Sequence, residues 1–265
     1  MDLGLKDKVA IVTGGGRGMG KKICTTLAEE GARVCVNDFF ADRAKSVADE
    51  INAAGGQAIG IQADVTKWDS VDAMVKQVVA KWGTVHILCN SAGIPAEPPR
   101  REEAGGRYFA QQTRAPWDAT INMNVYGILN CCKAVIGYMI DQRYGKIVST
   151  LSDAARVGEP TMVVYGGAKS FISGFSKGLA KENSRFGINV NMIASSWVTR
   201  EGTQSSPEVK EREKELWGFY PLAKGLERLG LGSDMANAYA FLVSDRAEWI
   251  TGQILSVNGG YCMVD

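Results

Sequence analysis

Short apolar, β-branched runs alternate along the chain with longer segments in which apolar residues recur every third or fourth position. A parallel sheet joined by crossover helices requires this alternation. Val9 to Thr13 reads as a buried strand, and Met19, Ile23 and Leu27 then recur at helical spacing in a helix that stops at Gly31. Arg33 to Asp38 is the next strand, followed by a helix closed at Gly55 and Gly56. Ala58 to Ala63 is a third strand; Val71, Val75, Val78 and Val79 mark the helix after it, which ends at Gly83. Val85 to Asn90 is a fourth strand, and Lys146 to Thr150, Ile188 to Ile193 and Ile254 to Val257 follow. With no linker between these units, the pattern predicts one doubly wound α/β domain over 1–265, with helices on both faces of a parallel β-sheet.

Two regions break the rhythm. Residues 95–116 are rich in Pro, Gly and Arg and have no periodicity, so they read as an active-site-proximal loop or an insertion. Residues 195–230 mix polar residues with Trp197, Leu216, Trp217, Phe219, Tyr220 and Leu222 and read as a lid. Both follow carboxyl ends of predicted strands, where open α/β sheets bind ligands.

Composition narrows the choices further. The chain has 265 residues, with 30 basic against 29 acidic side chains and a net charge of +1. No basic excess points to nucleic acid, so none is expected as a partner. His86 is the only histidine, which disfavours a Ser-His-Asp hydrolase or a histidine-rich metal site; no metal is expected, and His86 reads as structural. Cys24, Cys35, Cys89, Cys131, Cys132 and Cys262 form no CxxC pair and mostly lie in apolar runs, as buried thiols of a reducing compartment do. Residues 1–8 are polar and of mixed charge, and no apolar run is read as approaching the roughly 18 residues that cross a bilayer. A soluble, cytoplasmic protein with no membrane partner is the expectation.

The first chemistry appears between strand one and helix one, at Thr13-Gly14-Gly15-Gly16-Arg17-Gly18-Met19-Gly20. Glycines there let the backbone turn tightly against a pyrophosphate, and the helix N-terminus offers unpaired N–H groups. Asp38 ends the second strand about 20 residues on, where a carboxylate accepts hydrogen bonds from an adenosine ribose and repels a 2′-phosphate. NAD is therefore the expected cofactor. Arg17 is a counter-signal, since a guanidinium near the ribose suits a phosphate, and Asp38 could instead cap a helix.

In the middle of the chain, Tyr165 and Lys169 stand four residues apart at the head of an amphipathic segment containing Phe171, Ile172, Phe175 and Leu179. On a helix that spacing puts both on one face. Free tyrosine has a pKa of about 10, and a neighbouring ammonium is expected to lower it toward the range of a general base. Ser152 follows the fifth strand, and its hydroxyl is placed to hold a substrate oxygen.

Together these residues resemble the short-chain dehydrogenase/reductase family, in its compact single-domain branch. The likeness runs through TGGGRGMG at 13–20, Asp64-Val65, Asn90-Ser91-Ala92-Gly93, Asn124, Ser152, Tyr165 with Lys169, and Thr251-Gly252-Gln253 leading to Gly259-Gly260. It implies a Rossmann-like fold and a homotetramer. It further implies a dinucleotide held by Gly14, Arg17, Gly18, Met19 and Gly20, with Asp64 and Val65 at its adenine. Asn90 and Ala92 would border the cofactor and support the sheet beside it. Tyr165 would be the acid–base, and Lys169 would also hold the nicotinamide ribose. Asn124 would keep a water in a proton relay, and Val198 would meet the carboxamide. The chain departs from the family pattern in several places: His86 starts the fourth strand where the family often has Asp, and the stretch around 97–116 is longer than the family norm. Ser91 replaces an Asn, Ser195-Ser196 stands where Pro-Gly is usual, and Arg200 replaces a threonine that helps hold the carboxamide, a role left to Thr199.

The expected reaction is hydride transfer between NAD and a secondary alcohol/ketone pair, a small cyclic or aromatic molecule. The lid aromatics either line such a pocket or pack the lid and an interface. Of Arg100, Arg101, Arg107, Arg114, Arg156 and Arg200, the two that flank the catalytic segments, Arg156 and Arg200, are candidates to hold an anionic substituent. Two rivals stay open: a 3-oxoacyl-thioester reductase acting on acyl-carrier-protein or coenzyme A substrates, which would favour NADPH and a basic docking patch, and a catalytically silent nucleotide-binding subunit.

Overall fold

The computed structural model describes residues 1–98, 100–199 and 207–264. Strands β1 (Val9–Thr13), β2 (Arg33–Asp38), β3 (Gln57–Gln62), β4 (Ile87–Asn90), β5 (Gly145–Ser152), β6 (Ile188–Ser195) and β7 (Ile254–Val257) form one sheet. All pair in parallel, in the order β3-β2-β1-β4-β5-β6-β7. This is the Rossmann-like doubly wound arrangement that the alternating pattern predicts.

Parallel strands covered on both faces read as continuous apolar runs, and β1 is buried at every position. Its alternate residues serve two separate cores. Val9 and Ile11 face a layer built with helix α3 (Trp68–Trp82), while Ala10 and Val12 face one built with α1 (Gly18–Glu29) and α2 (Ala41–Ala53). Each buried Val or Ile contributes about 1.5–3 kcal/mol of transfer free energy. The helix α3 ends at Gly83, whose φ of +87° is the left-handed turn that glycine adopts without a Cβ clash. The sole histidine is structural, as expected: His86 Nδ1 accepts the Val9 N–H at 2.9 Å, and burial holds its pKa below the usual value.

Beyond β4 the sequence reading needs correction. Residues 95–116 are not all loop: a short helix, Arg101–Ala104, and a 3-10 turn, Phe109–Gln111, are joined by a bridge between Gly105 and Gln112. From Ala115 a helical run continues to Asp141. It comprises α4 (Ala115–Ile121), a π-turn (Asn122–Tyr126) and α5 (Gly127–Asp141). By length and mean hydropathy (1.2) this run matches a membrane span, against the expectation that no apolar stretch approaches that size. Its apolarity is spent internally: Met123, Ile128, Cys131, Cys132, Val135 and Met139 belong to the core beside α3.

Helix α6 (Val163–Asn183) carries the Tyr165 segment back to β6. The 195–230 stretch is also more regular than its sequence implies. Val198–Thr199 pairs with Gly230–Leu231 in a two-stranded sheet, and between them lie α7 (Pro207–Leu216) and α8 (Pro221–Leu226). Helix α9 (Gly232–Val243) then packs against α1.

Candidate active site

The strand order reverses between β1 and β4, and a cleft of about 960 Å³, counted to its mouth, opens there at the carboxyl ends. Gly14, Arg17, Gly18, Met19 and Gly20 line its floor. Asp38, Asp64, Val65 and Ala92 line its walls, together with Arg43, which the sequence reading did not single out. Side chains are excluded from the floor by the backbone itself. A Cβ on Gly20 would stand 2.1 Å from the Gly14 carbonyl oxygen, and Gly14 has a φ of +65°. Helix α1 starts with no side-chain cap and no acidic residue in its first turn, and its first residues line the cleft, so its N-terminal N–H groups are open to an anionic ligand. These features fit the diphosphate of a nicotinamide dinucleotide.

Asp38 has two tasks here. Its Oδ2 accepts the Gly16 N–H at 3.2 Å, and its Oδ1 accepts the Phe40 N–H at 3.0 Å. The carboxylate thus ties the glycine loop to the end of β2 and stays buried in the wall of the cleft. It is not the cap of α2, which begins after Phe40. Asp64 is fixed through Thr66, whose N–H and hydroxyl both donate to Oδ1. Thr13 supplies a clamp not foreseen as such: its Oγ1 accepts from the N–H groups of Ser91 and Ala92, both at 3.1 Å, locking the end of β4 to β1. Asn90 turns inward instead, donating to Ser149 Oγ, so it braces the sheet rather than lining the cleft.

The catalytic candidates gather beside this cleft. Ser152 is the last residue of β5, and its hydroxyl lies close enough to the Tyr165 phenol, near the start of α6, to favour the phenolate. Lys169, one turn further along and 2% exposed, donates to the Thr150 carbonyl at 2.9 Å and stands 5.8 Å from the Tyr165 ring centre. Asn124 lies in the π-turn, a helix irregularity that re-aims side chains and recurs at functional sites. Its Nδ2 donates to Thr120, while its buried Oδ1 has no hydrogen-bond partner among the described residues. Gly93 joins the two groups to the cleft: a Cβ there would meet Lys169 Nζ at 3.1 Å and Asn124 Oδ1 at 3.3 Å. Behind them, the buried Tyr239 hydroxyl hydrogen-bonds Thr150 Oγ1 at 2.6 Å.

The electrostatics differ from the sequence expectation. Burial pushes the Tyr165 phenol above its ordinary value, opposed only by the Ser152 hydrogen bond. Burial also drives the Lys169 ammonium down to about 8. Desolvation, which the spacing of two residues cannot reveal, outweighs the attraction between phenolate and ammonium.

Several other candidates have different partners from those expected. Thr199 Oγ1 donates to the buried Glu213 carboxylate at 2.6 Å, so its hydroxyl is committed to α7. Val198 packs against the core beside α9. Arg156 gives three of its five N–H donors to Ser256 Oγ at 2.6 Å, the Val264 carbonyl at 2.8 Å and Asp153 at 3.5 Å, and its side chain is only 10% exposed. Arg200 and the side chain of Arg101 lie outside the described residues. In the lid, Tyr220 stacks on Tyr261 and hydrogen-bonds Ser196, whereas Trp197 is 51% exposed at the rim.

The short chain dehydrogenase family model matches residues 8–211. The 3-oxoacyl-[acyl-carrier-protein] reductase FabG of Staphylococcus epidermidis is 37% identical over 97% of this chain and 100% of its own length. A 3-oxoacyl-[acyl-carrier-protein] reductase of Synechocystis is 34% identical, over 98% of both chains. The (2S)-[(R)-hydroxy(phenyl)methyl]succinyl-CoA dehydrogenase subunit BbsD of Thauera aromatica is 35% identical, over 97% of this chain and 98% of its own. All three names specify thioesters, which overturns the expectation of a dehydrogenase for small free cyclic or aromatic alcohols. That expectation rested on the composition of the lid, and exposed rings at a rim do not define the molecule that enters. Fold, cleft and sequence similarity agree on the class: this chain is an oxidoreductase of the short-chain dehydrogenase/reductase family, built to bind a nicotinamide dinucleotide.

Proposed function

We propose that the protein reduces a 3-oxoacyl thioester to the 3-hydroxyacyl thioester, with NADH as the preferred dinucleotide. The substrate class is supported by the near full-length similarity to reductases and a dehydrogenase of acyl thioesters. One observation carries the chemistry: the Tyr165 ring, with the Ser152 hydroxyl near its phenol, stands 5.8 Å from Lys169 Nζ, which meets Asn124 Oδ1 at Gly93 on the cleft wall. In the reaction, Tyr165 gives its phenolic proton to the substrate carbonyl oxygen, and Ser152 holds that oxygen as negative charge develops on it. A bound dinucleotide supplies the hydride, from C4 of its nicotinamide to the carbonyl carbon. Lys169 holds positive charge near the phenol that loses its proton, and Asn124 offers its free Oδ1 to the water that returns one.

Tyr165, raised by burial, is protonated at neutral pH, the state that donating a proton to a carbonyl oxygen needs. The preference for NADH rests on Asp38, whose buried carboxylate faces the ribose end and repels a 2′-phosphate, although Arg17 and Arg43 share that wall. A dinucleotide-coupled assay with one 3-oxoacyl group carried on acyl carrier protein and on coenzyme A tests the reading. The expected result is turnover of at least one thioester, with a higher kcat/KM for NADH than for NADPH. A preference for NADPH would overturn the cofactor assignment and leave the substrate class standing.

A further inference from the structure

Ser152 must hold its hydroxyl against Tyr165, yet it is the last residue of its strand, where backbone pairing stops. The residue that follows, Asp153, is a carboxylate only 1% exposed. One of its partners is distant in the chain and the other stands three residues on. Asn258, just after β7, donates its Nδ2 to Asp153 Oδ2 at 2.8 Å, and Arg156 approaches Oδ1 at 3.5 Å while anchoring Ser256 and Val264. Asn258 is itself locked, donating also to the Cys262 carbonyl and accepting from the Gly260 N–H. The Asp153 N–H donates to the Ser195 carbonyl, so the carboxylate and its backbone are pinned from two sides.

What this pinning controls is the turn between the two catalytic hydroxyls. The Ala154 N–H, on the carbonyl side of Asp153, donates to Ser152 Oγ at 3.2 Å. The Ala154 carbonyl oxygen lies 2.9 Å from where a Cβ on Gly166 would stand, so the turn packs directly on the residue after Tyr165. The Ala155 carbonyl accepts from Ser170 Oγ on the same helix. The geometry points to Asp153 as a positioning residue. Held by Asn258 and Arg156, its carboxylate orients the turn at 153–155 and so sets Ser152 against Tyr165, making the segment after β7 part of the catalytic geometry. The inference rests on the proposed roles of Ser152 and Tyr165 and adds the support that those roles require.

The test compares Asp153→Asn, Asn258→Ala, Arg156→Met and the exchange Asp153→Asn/Asn258→Asp, which restores a carboxylate–amide pair with its ends swapped. Each single change is expected to lower kcat for 3-oxoacyl thioester reduction by about 10- to 10²-fold, the scale of a misplaced reacting group. Dinucleotide Kd, measured by fluorescence quenching, is expected to stay within about twofold, and the exchange to recover most of the lost kcat. Unchanged kcat in Asn258→Ala and Asp153→Asn would overturn the inference, as would a parallel loss of Kd with no recovery in the exchange. Should Asp153→Asn fail to fold, Asn258→Ala and Arg156→Met carry the comparison. Should the unaltered protein reduce no thioester, the functional reading falls. The positioning claim is then decided by a crystal structure of Asn258→Ala: loss of the Ala154–Ser152 hydrogen bond with the Ser152 hydroxyl displaced from the Tyr165 phenol supports it, and an unchanged turn overturns it.

Discussion

The two halves of the sheet prepare their chemistry by opposite means. On the β1–β4 side the cleft is made by leaving side chains out: Gly14 and Gly20 bring backbone to backbone, and free N–H groups at α1 do the binding. On the β5–β7 side it is made by burying polar side chains, among them Asn124, Asp153 and Lys169, in a polar network at the sheet's edge. The backbone half presents fixed N–H groups. In the side-chain half, burial raises Tyr165 and Asp153 and lowers Lys169. Mutations in the first half should therefore act on dinucleotide affinity, and those in the second on turnover and its pH dependence.

The sharpest way to break this contrast is Tyr165→Phe, which removes the donated proton and leaves the cleft intact. We expect kcat to fall by about 10² to 10⁴ with dinucleotide Kd preserved, read by steady-state kinetics beside a binding titration. Gly20→Ala should do the reverse. Its Cβ would strike the Gly14 carbonyl, and an overpacking cost of about 1–3 kcal/mol weakens dinucleotide binding by roughly 10- to 10²-fold. Asp38→Asn removes the charge from the ribose wall and should cut the NADH-over-NADPH preference in kcat/KM by about tenfold, equivalent to about 1.4 kcal/mol. The smallest effect is on pH. With the Lys169 ammonium titrating at about 8, the reduction rate should drop by about half at that pH and continue down above it. The pH profile of kcat checks this, and a rate that rose through pH 8 would show that the ammonium is not needed.

The same contrast explains what could be read from sequence. A cradle made of backbone is written in its glycines, so the loop at 13–20, its strand and its helix are all legible, as is the Asp38 that follows at the end of β2. The four-residue spacing of Tyr165 and Lys169 is legible because helix geometry alone puts them on one face. Burial is not, and so the direction of the Tyr165 shift was misjudged. Partners distant in the chain are equally hidden. Nothing near Arg156 announces that Val264 and Ser256 occupy its donors, nor does Thr199 reveal Glu213 fourteen residues on. The lid helices escape periodicity because α7 is dominated by charged residues, and the Ala115–Asp141 run was undercounted because polar residues interrupt its apolar stripe. The choice of substrate fails for a related reason: the rings in the lid are a composition, and the 3-oxoacyl-thioester rival that the sequence left open gains its preference through similarity to whole proteins.

The most direct measurement is the product formed when the protein is mixed with NADH and a 3-oxoacyl thioester, followed by mass spectrometry. The account predicts conversion to the 3-hydroxyacyl thioester, heavier by two hydrogens and formed in step with NADH consumed. An unaltered thioester, with either NADH or NADPH present, would contradict it.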